Sequence, residues 1–231
     1  MTSSAPGQRV DGRAARWAGQ RERRRREFVE AALRAIAEHG AEVTTEQIAE
    51  TAGVARTQVY KHFTGADDLR QAISDQAVEL INTTLAPLWN LRGTPMQMIR
   101  GAVGSHVAFL AEHYNLYWYL SVRGTQGAIT DVKTAVARHL TLLFEFYLSA
   151  FGIDKRFAEP LGFGVVGLVD LSTIRWLENP REMAQSDLAD LLATWVWRIV
   201  DDVLRTNQVV LSPDVPLDAA DLTFNGEAGQ N

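Results

Sequence analysis

The fold is decided by residues 44–63, which read TTEQIAETAGVARTQVYKHF. Thr44 with Gln47 three positions later is a capping box, in which each side chain accepts from the other residue's free backbone amide, so a helix begins here. Gly53 ends that helix because glycine adopts the backbone conformation of a sharp turn. Ala49 is small enough to let a second helix approach closely. The stretch therefore predicts two short helices that meet at Gly53.

The apolar positions of this stretch indicate how the two helices pack. Val54 and Val59 fill the angle between the helices, and Phe63 closes the second one. Such packing is typical of a helix-turn-helix, whose second helix enters the major groove of DNA. The outer face of that second helix would carry Arg56, Thr57, Gln58, Tyr60, Lys61 and His62. Arginine, glutamine and threonine can contact base edges, whereas tyrosine, lysine and histidine suit phosphate oxygens. The alternative is an ordinary helical hairpin with a polar exposed face.

The distribution of charge favours DNA over that alternative. The chain has 231 residues and a net charge of -5, which by itself argues against nucleic acid. However, residues 1–70 hold 12 Lys and Arg against 10 Asp and Glu, whereas residues 71–231 hold 11 against 18. Eight arginines lie between Arg9 and Arg26, against two acidic residues. A basic end on an acidic body suggests a polyanionic partner, with a solvated tail as the alternative.

The composition excludes several classes of protein. Because the chain has no cysteine, it has no disulfide framework and no cysteine-ligated metal. The 46% hydrophobic residues are enough for a real core. The arginines near the start are not followed by an apolar run, and eighteen consecutive apolar residues occur nowhere. We therefore expect no signal peptide, no membrane span and a cytoplasmic protein.

Helical periodicity continues along the rest of the chain, and no stretch alternates long enough for a strand, so we predict an all-α protein. The first helix is expected from Gln20 to His39. The fourth is expected from Asp67 or Asp68 to Trp89, and later ones at about 95–112, 115–122, 128–151, 155–177 and 184–207. This pattern divides the chain into a flexible basic arm at 1–20, a three-helix domain at 21–66, a larger helical domain at 67–210 and a loose tail at 211–231.

The motifs TTEQIA at 44–49, AGV at 52–54 and VYKHF at 59–63 resemble the DNA-binding domain of the TetR family of bacterial transcriptional regulators. The resemblance covers about residues 21–90 by motif. It implies that the first three helices bind DNA and that residues 67–210 form a ligand-binding and dimerisation domain. It also implies that the DNA-binding residues are Arg21, Arg23, Arg24, Arg25, Arg26, Thr44, Thr45, Arg56, Thr57, Gln58, Tyr60, Lys61 and His62.

Two positions depart from the family pattern. Ala55 stands where a serine commonly caps the second helix of the motif, so an amide there loses its side-chain acceptor. Ala66 stands where a lysine is common, which removes one expected phosphate contact. We therefore expect the arginine arm to supply more of the DNA affinity than is usual.

Aromatic residues are more numerous in the second domain than a small helical bundle needs, although plain packing explains many of them. A subset lining a cavity would suit a hydrophobic effector, with polar groups as anchors. The ligand-binding residues predicted in this way are Trp89, Phe109, Tyr114, Tyr117, Trp118, Arg123, Phe144, Tyr147, Phe163, Val166, Asp170 and Trp176. Residues 167–177 also resemble fatty acyl-CoA-sensing members of the family, and a lipophilic antibiotic or another hydrophobic metabolite is the alternative.

A dimer is expected because a palindromic operator presents two equal half-sites. One apolar stripe on the last helix is the predicted interface, with single-chain core as the alternative: Leu188, Leu191, Leu192, Trp195 and Ile199. The glycine-rich stretch 162–167 matches GxGxxG, but no strand precedes it, so we predict no nucleotide cofactor. His106 and His113 share a helix face with Glu112, and two histidines are too few to predict a metal site.

The sequence thus predicts a ligand-responsive transcriptional regulator, and the resemblance implies a repressor that binds operator DNA as a homodimer. A hydrophobic effector, with fatty acyl-CoA as one candidate, would release it. No GxSxG, HExxH or P-loop motif is present, so we name no catalytic residue and expect no enzyme. The alternative is an all-α lipid carrier whose basic arm touches membranes.

Overall fold

The computed structural model describes residues 12–86, 93–123, 127–180 and 182–217. Every regular element in these residues is a helix, which confirms the predicted all-α class. The helices are α1 (Gly12–His39), α2 (Thr45–Thr51), α3 (Arg56–Val59), α4 (Ala66–Leu85), α5 (Pro95–Glu112), α6 (Tyr114–Val122), α7 (Ala128–Ala150), α8 (Ala158–Glu178) and α9 (Gln185–Thr206). A short 3-10 turn, Lys155–Phe157, precedes α8.

Helices α1 to α3 form the predicted helix-turn-helix domain. The capping box at α2 is present, because the Gln47 amide donates to Thr44 Oγ1 at 3.3 Å and the Thr44 amide donates to Gln47 Oε1 at 2.8 Å. Gly53 has a φ of +69°, the left-handed conformation that the turn requires. Val59 is fully buried against the apolar face of α1, around Ile36. The same buried cluster continues into α4 and α6, so the core of the helix-turn-helix is continuous with that of the larger domain.

Two boundaries in this domain differ from the predictions. Helix α1 begins at Gly12 rather than Gln20, so the prediction of a flexible arm was wrong for residues 12–20, and residues 1–11 lie outside the described chain. Alanine and arginine are strong helix formers, and a single glycine at position 19 costs only about 1 kcal/mol. Helix α3 is regular only over Arg56–Val59, and the chain continues to Phe63 in turns. Ala55 makes no side-chain cap, as predicted.

The larger domain is built around α8, which packs against α7 on one side and α9 on another. At Gly162 of α8 a Cβ atom would lie 2.8 Å from the carbonyl oxygen of Ala137 and 2.6 Å from the hydroxyl of Thr141. The absent side chain therefore lets the backbones of α7 and α8 come together. Gly162, Gly164 and Gly167 all lie inside this helix and not at the strand-to-helix turn of a nucleotide site.

The first residues of the C-terminal tail are docked on the domain, so the prediction of a loose tail was wrong for residues 211–217. The amide of Met96, in the first turn of α5, donates to the carbonyl oxygen of Pro213 at 2.9 Å. This bond satisfies one of the amides that a helix start leaves free. Leu211 and Leu217 pack on the apolar cluster around Leu204, and residues 218–231 lie outside the described chain.

The stretch Lys155–Glu178, which contains α8, is the one helical stretch in the described residues that is long and apolar enough to cross a membrane, with a mean hydropathy of 1.4. A central core helix passes the same test. Here α8 buries its inner side against α7 and α9 and leaves Phe163 and Leu171 exposed on the outer side. Its apolar character thus serves two faces, one inside the domain and one at the surface.

We expect Gly162→Ala to lower the free energy of unfolding by about 1–3 kcal/mol, because the new methyl group meets backbone atoms of α7 that cannot move aside freely. Gly104→Ala in α5 is the matched control, since a Cβ there has no neighbour within 4 Å. That substitution should raise stability by about 0.5–1 kcal/mol through helix propensity. Urea unfolding at one fixed protein concentration measures both, and equal stability of the two variants would contradict the close approach.

Candidate functional site

The second helix of the helix-turn-helix presents a polar surface to solvent. Arg56, Thr57, Gln58, Tyr60 and Lys61 are exposed, while Val59 between them points into the core. Thr44 is exposed and Thr45 half-buried at the start of α2, on the same side of the domain as Tyr60. The structure therefore gathers these predicted DNA-binding residues on one surface, which we call the recognition face. Its donors match base edges and phosphate oxygens.

A network on the recognition face holds Arg56 in place. Its guanidinium forms an ion pair with Glu46 and lies 5.4 Å from the ring centre of Tyr60. The Tyr60 hydroxyl lies 3.4 Å from Thr45 Oγ1 and 3.5 Å from the Arg56 guanidinium, and these two partners lower the pKa of Tyr60. Sequence analysis missed Glu46, because positions 46 and 56 become neighbours only when the two helices cross.

Arg25 has a different role from the one predicted. Its guanidinium makes two bonds to the Asp68 carboxylate, at 2.7 and 3.0 Å, and donates to the carbonyl oxygen of His62 at 2.7 Å. It also lies 4.3 Å from the ring centre of Phe63. The bonds from Arg25 and from the Thr64 amide lower the pKa of Asp68 well below its usual range. Arg25 thus joins α1 to α4 and to the backbone just after α3, and these bonds use three of its five N–H donors within the protein.

The other predicted DNA-binding arginines of α1 remain at the surface. Arg21, Arg23, Arg24 and Arg26 are exposed, and Arg24 pairs with Glu27 at 2.8 Å. His62, by contrast, is half-buried with its ring 5.4 Å from that of Phe28, and its buried Nδ1 atom has no hydrogen-bond partner among the residues that the structure describes. His62 is therefore mainly a packing residue, because its ring turns toward α1 instead of outward.

An apolar cavity of about 310 Å³ lies between α5, α7, α8 and α9. Three of the predicted ligand-binding residues line it: Phe144, Tyr147 and Val166. The tail residues Leu211 and Leu217 close part of its wall, and Trp197 of α9 forms another part. A cavity with this lining suits an apolar molecule.

A second, smaller cavity of about 50 Å³ lies beside the first. The predicted ligand-binding residues Phe109, Tyr117 and Asp170 line it, together with Lys133 and His113. His106, Val136 and Val166 line both cavities. The two cavities therefore adjoin at a wall that carries one polar side chain, His106.

The carboxylate of Asp170 is nearly buried, and three polar side chains surround it. Lys133 Nζ lies 2.6 Å from Asp170 Oδ2 and 2.7 Å from the Tyr117 hydroxyl, and His106 Nε2 lies 3.6 Å from Asp170 Oδ1. Burial acts to raise the pKa of Asp170, but His106 and Lys133 outweigh burial and lower it. Burial likewise acts to lower the pKa of Lys133, but Asp170 and Tyr117 outweigh it and raise that pKa. Asp170 and Lys133 therefore form a charged pair inside an apolar domain.

The comparisons with known proteins identify a family for the amino-terminal domain. Residues 28–73 match the family described as bacterial regulatory proteins, tetR family. An HTH-type transcriptional regulator of Mycobacterium tuberculosis is 29% identical over an alignment of 197 residues that covers 82% of each chain. The chain thus contains a tetR-family DNA-binding domain and is similar to a transcriptional regulator over most of its length.

The similarity to solved structures extends over most of the regulator. A tetR-family transcriptional regulator from Streptomyces coelicolor is 20% identical with a TM-score of 0.63, over 81% of this chain and 84% of that one. The transcriptional regulator FadR from Bacillus subtilis, solved in complex with stearoyl-CoA, is 19% identical with a TM-score of 0.56, over 74% of this chain and 96% of that one. At these identities the likeness shows a shared fold.

Several predicted ligand-binding residues lie away from both cavities. Within the described residues, neither cavity is lined by Tyr114, Trp118, Arg123, Phe163 or Trp176, and Trp89 lies outside the described chain. Arg123 pairs with Glu42, and the Trp176 indole donates to the carbonyl oxygen of Met183 at 2.8 Å. Trp118 and Phe163 are exposed at the surface. Aromatic content alone does not tell which side of a helix faces a cavity.

The predicted dimer stripe of α9 is buried at its beginning and exposed further along the helix. Leu188 and Leu192 are buried in the cluster around Val107 and Val165, so their assignment to an interface was wrong. Trp195 and Ile199 are 39% and 40% exposed, and Leu191 is half-buried beside them. All of these positions lie on one stripe about 100° wide, because an α-helix repeats every 3.6 residues. The helical period therefore does not reveal which turns of the stripe the neighbouring helices cover.

We expect Arg25→Ala to destabilise the regulator and Arg26→Ala to weaken DNA binding. The first change removes about 1–3 kcal/mol of unfolding free energy, because Asp68 and the His62 carbonyl lose a charged donor. The second removes one phosphate contact and lowers the salt dependence of DNA affinity by about one ion. Thermal unfolding and fluorescence anisotropy at several salt concentrations measure the two effects. Equal unfolding midpoints for both variants would show that the Arg25 bonds contribute nothing.

Proposed function

We propose that this regulator binds a palindromic operator as a homodimer, represses transcription there, and is released by a hydrophobic effector. One combination supports the proposal most strongly: a solvent-facing recognition face and a large apolar cavity occur in the same chain, in separate domains. The recognition face suits a partner whose surface is rich in hydrogen-bonding groups, such as DNA. The cavity suits an apolar ligand. A regulator in which ligand binding changes DNA binding accounts for both features.

The DNA contacts follow from the exposure of the side chains. Arg56, Thr57 and Gln58 would read base edges in the major groove, and Lys61 would contact phosphate. The exposed arginines of α1 would add phosphate or minor-groove contacts: Arg21, Arg23, Arg24 and Arg26. On DNA, Arg56 would exchange its bond to Glu46 for a bond to a base, since one guanidinium cannot saturate both partners.

A second copy of the chain suits the outer face of α8 and α9. Leu171 is 71% exposed there, and Trp195 and Ile199 lie on the adjacent helix. Gly164 and Gly167 have open space where a side chain would stand, so a partner helix can approach. Exposed apolar surface of this extent is typical of an interface. Dimerisation would set the two recognition faces about 34–36 Å apart, one turn of DNA.

The effector proposed for the cavity is an apolar molecule with few polar groups. Fatty acyl-CoA is one candidate, and its support is the shared fold with the Bacillus subtilis FadR, which was solved with stearoyl-CoA. Lipophilic antibiotics and other hydrophobic metabolites fit the same lining. The proposed regulator has no cofactor and no catalytic role. It would bind its operator in the cytoplasm.

Helix α6 would carry the signal between the two domains. On one side the Asn115 side chain donates to the carbonyl oxygen of Ala37 in α1 at 2.8 Å, and Arg123 just beyond the helix pairs with Glu42. On the side toward the cavities, Tyr117 bonds Lys133. A ligand that displaces Tyr117 would therefore move α1 and, with it, the recognition face. By linkage, operator DNA must weaken effector binding by the same factor.

A lipid carrier with a basic, membrane-touching segment is the rival function. The apolar cavity fits that function equally well, but a carrier has no use for the ordered network of Arg56, Glu46 and Tyr60 at the surface. A gel shift with DNA from the neighbouring promoter, beside sedimentation with anionic vesicles, separates the two functions. Binding to vesicles without binding to any promoter DNA would favour the carrier.

For operator binding, we expect Gln58→Ala to cost about 1–3 kcal/mol and to relax sequence preference at one position of each half-site. Lys61→Ala should weaken binding to all sequences alike, because it removes a phosphate contact. The matched control is Gln185→Ala, an exposed glutamine at the start of α9. Fluorescence anisotropy with operator and scrambled DNA measures the three variants. If Gln58→Ala binds operator and scrambled DNA with the affinities of the wild type, α3 is not the helix that contacts the base edges.

For dimerisation, we expect Ile199→Glu to produce monomers and to reduce operator affinity at least tenfold, because a charge would be buried against the partner helix. Arg198→Gln, at an exposed neighbouring position on α9, also lowers the charge by one unit and should leave the dimer intact. Sedimentation velocity gives the oligomeric state of each variant. A dimer of undiminished stability with Ile199→Glu would place the interface elsewhere.

A further inference from the structure

The Asp170 cluster has hydrogen-bonding capacity that the protein itself leaves unused. Lys133 and Tyr117 both approach Oδ2 of the carboxylate, at 2.6 and 3.5 Å. Oδ1 faces Nε2 of His106 at 3.6 Å, which is too long for a hydrogen bond. Within the described residues, Nε2 of His106 is buried and has no hydrogen-bond partner. A buried polar atom without a partner costs free energy, so a small polar group between these two atoms would be stabilised.

The volume beside these atoms restricts what can bind there. The small cavity of about 50 Å³ has room for a small polar group such as a water molecule or a hydroxyl. His106 belongs to the wall of both cavities. A molecule whose apolar body fills the larger cavity can therefore place one end against His106 and Asp170.

The charges of the Asp170 cluster further restrict which polar group of a ligand can bind there. Lys133 already compensates the charge of Asp170, so the cluster has no spare opposite charge for an ionic head group. A carboxylate would meet the Asp170 carboxylate in a medium of low dielectric constant, and an ammonium would meet Lys133. A hydroxyl meets neither problem, because it both donates and accepts. It can donate its one proton to Asp170 Oδ1 and accept from Nε2–H of His106 in the tautomer that carries the ring proton on Nε2.

We propose that the effector carries an uncharged hydroxyl at the end of its apolar body, and that His106 and Asp170 bind this hydroxyl. The proposal rests on the proposed effector site and names its chemistry. It separates the effector from fatty acids and amines, which have the same apolar body but an ionic end. The hydroxyl would lie beside Tyr117, the residue of α6 that faces the cluster.

The test uses four probes on the full-length protein: 1-decanol, its isomer 1-methoxynonane, decanoate and decylammonium. Their apolar bodies match the larger cavity, which holds on the order of ten atoms at about 30 Å³ each. Isothermal titration calorimetry should show that decanol binds at least tenfold more tightly than each of the others, since a hydrogen bond to a charged group is worth about 1.5–3 kcal/mol. Decanoate or decylammonium binding as tightly as decanol would overturn the proposal.

Two variants test whether His106 causes the preference for decanol over the ether. His106→Phe keeps the apolar wall but removes Nε2, so decanol should fall to within twofold of the ether while the affinity for the ether stays unchanged. His113→Phe is the control, because His113 lines the small cavity but its ring lies on Phe109, 4.6 Å between centres. That variant should keep the tenfold preference.

The outcomes distinguish this inference from the function on which it rests. Equal binding of all four probes to the wild type, or a preference that survives His106→Phe, overturns the hydroxyl site alone. Failure of every probe to bind, with operator binding intact, overturns the effector site itself. The wild-type series decides the matter even where a variant does not fold.

Discussion

A partly buried ion pair joins α7 and α8 in the larger domain. Asp170 lies on α8, a strongly apolar helix, and its nearly buried carboxylate would be destabilised there without Lys133 of α7 at 2.6 Å, whose side chain is 33% exposed. Tyr117 of α6 and His106 of α5 complete its surroundings. The Asp170 carboxylate therefore lies where side chains of four helices meet. Removing one partner of such a pair leaves an uncompensated charge, whereas the pair as a whole mainly determines how the helices are placed.

That placement gives α8 and α9 two apolar faces with different uses. The inner face surrounds a cavity because the side chains of α5, α7, α8 and α9 do not fill the space between them, and the docked tail closes part of the opening. The outer face leaves Leu171, Trp195 and Ile199 in solvent. Glycine residues of α8 lie on both faces. Gly162 allows close contact with α7, while Gly164 and Gly167 leave space on the outer face. The same helices thus line the proposed effector cavity on their inner face and form the proposed dimer interface on their outer face.

A charged pair joins the helix-turn-helix domain to the larger domain. Arg25 of α1 bonds Asp68 of α4 and the backbone carbonyl of His62, just after α3. Helix α6 contacts both domains as well: Asn115 bonds the α1 backbone, and Tyr117, two residues later, bonds Lys133 of α7. The apolar core is also continuous between the domains, since one buried cluster runs from α1 and α2 into α4 and α6. The proposed coupling between ligand and DNA would therefore act over a short distance through packed helices.

The sequence by itself determined the helix-turn-helix, since a capping box, a left-handed glycine and a small residue at the crossing are local requirements that few other folds satisfy. It also determined the all-α class and most helix boundaries, because turn residues and caps act over a few positions. The tertiary structure alone decided which turns of one apolar stripe are buried, since the neighbouring helices cover Leu192 and leave Ile199 exposed. It alone also paired Arg25 with Asp68 and Asp170 with Lys133, because residues dozens of positions apart meet only through the packing of helices. Spacing along the chain carries no information about such contacts.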